Sequence, residues 1–118
     1  MYLQKKRYDL AKEHLLNAIE VAPERSGTWN DIGVVHALSG DVDAARKAID
    51  RALEVDKESE ILLINSANLD VLDRRWSTAV KKFQASLMSN PNGSYSRSMI
   101  EIISGGQLER AVSVAAQS

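Results

Sequence analysis

Two histidines, a pair of carboxylates and several basic residues are the places where this sequence carries residue types suited to chemistry. His14 and His36 each bring a ring able to move protons or hold a metal. No carboxylate or second histidine stands at a matching ligand spacing from either of them. Asp41 and Asp43 flank Val42 at a predicted helix start. Carboxylates there cap backbone amides and favour the helix dipole, so capping is expected in preference to general acid/base work. The chain has no cysteine, which excludes disulfides, thiolate metal sites and cysteine nucleophiles. No glycine-rich phosphate loop follows a strand, because no strand is legible. The expectation is a protein that is not an enzyme, with no cofactor and no metal.

Lys5-Lys6-Arg7, Lys12, Arg74-Arg75, Lys81 and Lys82 supply the charge that an acidic peptide or a nucleic-acid backbone needs. No aromatic residues interleave with them to stack bases. Across the chain, 15 Lys plus Arg stand against 16 Asp plus Glu, a formal net charge of -1. Solvated turns and no nucleic-acid partner are the expectation.

The elements that must position these residues are bounded by length and composition. With 118 residues, 44% hydrophobic and 26% charged, the chain is expected to form one domain, residues 1-118, with a real core. No stretch reaches the roughly 18 apolar residues of a membrane span. The basic start, Met1 to Arg7, is not followed by an apolar core of signal-peptide type. The compartment stays open between the cytoplasm and a bacterial periplasm or envelope.

Self-similarity organises the rest. Ala11, Ala45 and Ala79 are spaced 34 residues apart. The same step links Tyr8, Val42 and Trp76, then Leu15, Ile49 and Phe83, then Ala18, Ala52 and Ser86, then Ile19, Leu53 and Leu87. Pro23 and Pro91 lie two steps apart, with Lys57 between them. Within a unit these positions recur at steps of three and four, an amphipathic helix stripe. A second helical pattern, Trp29, Ile32, Gly33, Val35 and His36, precedes the middle stripe, and Gly40-Asp41 separates the two as a break and an N-cap. The unit is helix, short turn, helix, with proline after the second helix as a stop.

This pattern resembles the tetratricopeptide repeat. The middle unit, 26-59, carries the resemblance in Trp29, Ile32-Gly33, His36, Gly40, Ala45, Ile49 and Ala52-Leu53. His36 stands where the family usually has an aromatic ring and Lys57 where it has proline. The unit 60-93 keeps Ala67, Ala79, Phe83, Leu87 and Pro91, with Leu63 for the tryptophan and Asp70 for the aromatic. A partial unit covers 1-25, mostly its second helix, and a shortened one covers 94-118. Met1-Tyr2-Leu3 reads as the last turn of a helix whose first turns are missing, and Lys5-Lys6-Arg7 as the turn after it. The chain is therefore read as a piece of a longer array, with part of the Tyr8 to Ile19 stripe uncovered. Gly105-Gly106-Gln107 is similar to the tip of peptide release factors. Those glycines fall where the repeat turns between helices, and a turn is the expectation.

The resemblance implies an all-α, right-handed superhelical array and a non-catalytic scaffold for protein partners. Its concave groove would be lined by the first helix of each unit. Carried over residue by residue, that lining is Asn30, Val34, Ala37 and Leu38, then Ile61, Ile64, Asn68, Val71 and Leu72, then Tyr95, Ser98 and Ile102, with Leu3 and Gln4 as remnants. Asparagine donates and accepts, so Asn30 and Asn68 suit the backbone of an extended peptide or helix while apolar neighbours take its side chains. Asp31 and Ile61 stand where one subclass needs asparagine and lysine to clamp a C-terminal carboxylate, so that clamp is not expected. Two other roles fit the same residues: a self-associating module that forms a homo-oligomer through its terminal repeats, and the helical regulatory part of a longer enzyme.

Overall fold

In the computed structural model of the chain, residues 2–22 and 24–117 are described, with side chains from residue 7 onward. The described residues form seven helices and no strand: α1 (Tyr2–Val21), α2 (Ser26–Leu38), α3 (Val42–Val55), α4 (Glu60–Leu72), α5 (Trp76–Ser89), α6 (Ser94–Ser104) and α7 (Leu108–Gln117). They divide into two compact units, Met1–Lys57 and Glu58–Ser118.

One turn chemistry recurs within the helix pairs. Gly40, Arg74 and Gly106 all adopt positive φ, at 90°, 60° and 78°. At each, the residue's own N–H donates to the carbonyl three residues back, as Gly40 does to Ala37 at 3.0 Å. The following N–H reaches five back, Asp41 to His36 at 2.9 Å, Arg75 to Asp70 at 2.8 Å and Gln107 to Ile102 at 3.1 Å. This double bond closes a helix only through a left-handed residue, which glycine supplies without steric cost and Arg74 does not. Asp41 then caps α3, its Oδ1 accepting from the Ala44 N–H at 3.1 Å. Ser59 does the same for α4 through the Leu62 N–H at 3.3 Å.

The start of the chain differs from the expectation. Helix α1 runs unbroken from Tyr2 to Val21, straight through Lys5-Lys6-Arg7. No separate helix ends at Leu3, and no turn follows it. Where the other units place Gly40, Arg74 or Gly106 in the left-handed conformation, this stretch has good helix formers on both sides and nothing to stop the ladder.

In the first unit, Ile32 and Gly33 of α2 are buried with Ala45, Ala48, Ile49 and Ala52 of α3. An added Cβ on Gly33 would lie 2.5 Å from Ile49 Cδ1, so the missing side chain is what lets the two helices approach. In the second unit, Ala67 and Val71 of α4, Ala79 and Phe83 of α5, Met99 and Ile103 of α6, and Ala111 and Ala115 of α7 form one buried cluster. Small residues alternate with large ones there, the arrangement that lets helix surfaces interdigitate.

Candidate functional site

Helix α2 presents Asn30, Val34 and Leu38 at steps of four, one line along its surface. Asn30 is half-buried, Val34 is 40% exposed and Leu38 is 61% exposed, although Ile32 and Gly33 on the same helix are buried. The packing of this unit therefore leaves two aliphatic side chains in water on that line. On α4, Ile61 is likewise exposed, at 64%, while Ile64 is half-buried against the core cluster.

Asn68 lies deeper. It is 7% exposed, and its Oδ1 accepts a hydrogen bond of 2.8 Å from the Tyr95 hydroxyl on α6. The Tyr95 ring meets Phe83 edge-on, with centroids 6.1 Å apart. Two of the expected groove residues are thus brought together, tying α4 to α6. Asn68 therefore exposes little surface, whereas Val34, Leu38 and Ile61 are exposed. Ser98 and Ile102 line an open cleft of about 300 Å³ with Glu101, Gly105, Gln107 and Arg110, where α6 turns into α7. Leu3 and Gln4 lie outside the residues whose side chains are described, as do Lys5, Lys6 and Pro23.

The basic rim loses a member. Lys82 is directed inward, its Nζ 2.7 Å from Asp70 Oδ2, and it donates to Ser66 Oγ at 2.7 Å. Asp70 and Ser66 are both buried on α4. A lysine on an expected solvated rim is in fact half of an interior ion pair. A sequence signal for this exists. Asp70 and Lys82 stand one repeat after His36 and Ala48, so one unit departs from its columns twice, with opposite charges. Arg74 reaches Glu109 of α7, Nη1 to Oε1 2.8 Å, with both side chains in solvent. The Arg74 hydrogen bond, and then its charge, hold the Glu109 carboxyl below its ordinary range, and the same contact raises Arg74 above its own. Arg75 pairs more loosely with Asp73, at 3.8 Å.

His14 is exposed and His36 half-buried, the Nδ1 of His36 having no hydrogen-bond partner among the described residues. Among those residues no three His, Asp or Glu side chains gather as a metal site. No helix among them is long and apolar enough to cross a membrane. Gly105 and Gly106 do close α6, as the turn reading of Gly105-Gly106-Gln107 required.

Comparison with known proteins places this geometry. The tetratricopeptide repeat family model matches residues 1–25 and 26–59. Protein O-mannosyl-transferase TMTC1 of Homo sapiens is 30% identical over 76 residues, 64% of this chain and 9% of that protein. Its Mus musculus counterpart is 33% identical over 67 residues, 57% of this chain and 7% of that protein. The chain thus spans less than a tenth of the length of these curated relatives. Among solved structures, the Yersinia enterocolitica type III secretion chaperone SycD, in complex with a peptide of the translocator YopD, aligns with a TM-score of 0.70 and 11% identity. That alignment covers 96% of this chain and 82% of the chaperone, a likeness of fold.

Proposed function

Because the chain belongs to the tetratricopeptide repeat family, we propose that it is a non-catalytic scaffold that takes a peptide segment or helix of a partner protein along the inner helices of its repeats, in assembly of a larger complex. The observation that carries this reading is the solvent-exposed aliphatic line on α2, Val34 and Leu38 beside Asn30, with Ile61 equally exposed on α4. Val34, Leu38 and Ile61 leave 40%, 61% and 64% of their surface in solvent. Burying the part that each aliphatic side chain still exposes contributes roughly 0.5–2 kcal/mol. The occupant matched to them is an uncharged, apolar segment whose backbone groups meet asparagine. The chaperone of similar fold, named in complex with a translocator peptide, supports the reading by analogy of fold.

The test is capture of partners on the purified chain, identification by mass spectrometry, and calorimetric titration with the segment found. Leu38→Ser and Ile61→Ser are each expected to weaken binding about tenfold or more. Arg74→Glu should change mainly the salt dependence. If both serine variants bind normally and Arg74→Glu does not, the basic turn is the site and the reading fails. A second reading is favoured by the mannosyl-transferase relatives, of which this chain spans 9% in the human protein: the repeats serve as the partner-binding part of a longer enzyme. The reading frame on either side of this sequence tests it, since a transferase domain must be encoded there.

A further inference from the structure

In the first unit an open cleft of about 270 Å³ is lined by Glu24 between α1 and α2, Trp29 of α2, and Arg51, Glu54 and Val55 of α3. The Arg51 guanidinium lies 5.4 Å from the Trp29 ring centroid. That is inside the roughly 6 Å range in which an aromatic quadrupole attracts a cation. The same guanidinium donates to Glu54, Nη1 to Oε2 3.2 Å. The chain therefore already seats a guanidinium of its own in this cleft, between an indole ring and a carboxylate. Glu24 brings a second carboxylate to the same walls. Arg51 and Glu54 are 60% and 66% exposed, so they can exchange partners without any helix opening.

The fold does not require this set. One repeat later, 34 residues on, the equivalent positions are Glu58, Leu63, Ala85, Met88 and Ser89. Packing columns such as Ala45 and Ala79, or Ile49 and Phe83, keep their character across the same step, while the ring, the cation and one carboxylate all vanish. Ser89, at the station of Val55, instead donates its hydroxyl to the Glu58 carbonyl at 2.6 Å.

We propose that the Trp29–Glu24–Glu54 cleft is a receptor for one arginine side chain of a partner protein, with Arg51 as the internal occupant that the incoming guanidinium displaces. The planar guanidinium stacks on the indole and forks onto a carboxylate, a match that a point-charge ammonium lacks. Val55, 49% exposed, covers the methylene stem. The site shares no residue with the exposed line on α2 and does not rest on the peptide-groove reading.

Trp29 is one of two tryptophans, and a Trp76→Phe background makes it the only indole. The whole chain is titrated with acetyl-Gly-Arg-Gly-amide and with its norleucine analogue, following Trp29 emission. A saturable response to the arginine peptide alone is expected. Arg51→Met, which keeps the stem, should tighten binding about two- to fivefold, the equivalent of one exposed cation–π contact. The pair Glu24→Gln with Glu54→Gln should weaken it by at least as much. If Trp76→Phe compromises folding, the Trp29 indole N–H resonance of the unsubstituted chain reports the same titration. Equal response to norleucine would make the cleft an apolar slot, and loss of response in Arg51→Met would show that Arg51 supports the binding and is not displaced by it. Either result overturns the proposal, as does no saturable response at about 50 mM peptide.

Discussion

Replacing Gly33 by alanine adds one methyl group at the point where α2 lies against α3. The new Cβ would stand 2.5 Å from Ile49 Cδ1, 2.7 Å from Ile49 Cγ1 and 3.2 Å from the Ala45 carbonyl oxygen. Carbon atoms at their optimum are about 3.5–4.0 Å apart, so the overlap with Ile49 is on the order of 1 Å. Ile49 is 1% exposed, so it sits within the packed interior, and the Ala45 oxygen belongs to the backbone. Overpacking of this kind costs roughly 1–3 kcal/mol. Alanine in a helix interior recovers about 1 kcal/mol relative to glycine. With two carbons and a backbone atom in the way, the upper part of the overpacking range applies, and the net loss should be about 1–2 kcal/mol. Ile49→Ala removes both offending carbons and by itself costs about 2–5 kcal/mol. In that background only the Ala45 carbonyl oxygen, at 3.2 Å, still crowds the new Cβ, so the helix preference should leave the substitution between neutral and about 1 kcal/mol stabilising. The cycle therefore has a coupling energy of about 2 kcal/mol, within the range for residues in contact. Urea unfolding of the four chains, followed by far-ultraviolet circular dichroism, measures it. A Gly33→Ala chain more stable than its parent, or effects that add in the double variant, would refute the close approach as the reason for glycine here.

Three further outcomes follow from other contacts. Asp70→Asn or Lys82→Met alone strands a buried polar partner and should cost about 3–5 kcal/mol, whereas Asp70→Leu with Lys82→Met should be near neutral in the same unfolding assay; a double variant as unstable as the singles refutes the pairing. The Glu109 carboxyl is held low in the folded state by Arg74, so its contribution is present above the unfolded value and lost as pH falls through the folded one. The Tm advantage over Glu109→Gln at neutral pH should accordingly close below the ordinary carboxylate range and shrink in salt, and a gap that widens in acid contradicts it. Leu10 and Leu16 of α1 are exposed, and its Tyr8, Ala11, Leu15 and Ile19 stripe is only half-buried. Light scattering should detect self-association by on the order of several hundred micromolar, and a strict monomer there removes that role.

The repeat was legible because its determinants are local. The columns Ala11, Ala45, Ala79 and Leu15, Ile49, Phe83 state a helix period and a repeat length directly. Gly40, Gly106 and the Asp41 cap announce turns through backbone geometry that few other residues permit. The period also fixes the side of α2 on which Asn30, Val34 and Leu38 stand in one line. What a long side chain does there depends on which helix lies within its reach, and that is a tertiary fact. Lys82 turns inward because Asp70 and Ser66 sit opposite it on α4. Asn68 is engaged because Tyr95 of α6 arrives over it, 27 positions along the chain. Arg51 stands over the Trp29 ring because α3 returns alongside α2. Helix α1 passes through Lys5-Lys6-Arg7 because that stretch has no residue poised for the left-handed turn, so the repeat's spacing alone did not break it. Periodicity sets the direction in which each side chain leaves its helix. Only the packed neighbours decide whether it meets water, a charge or a ring.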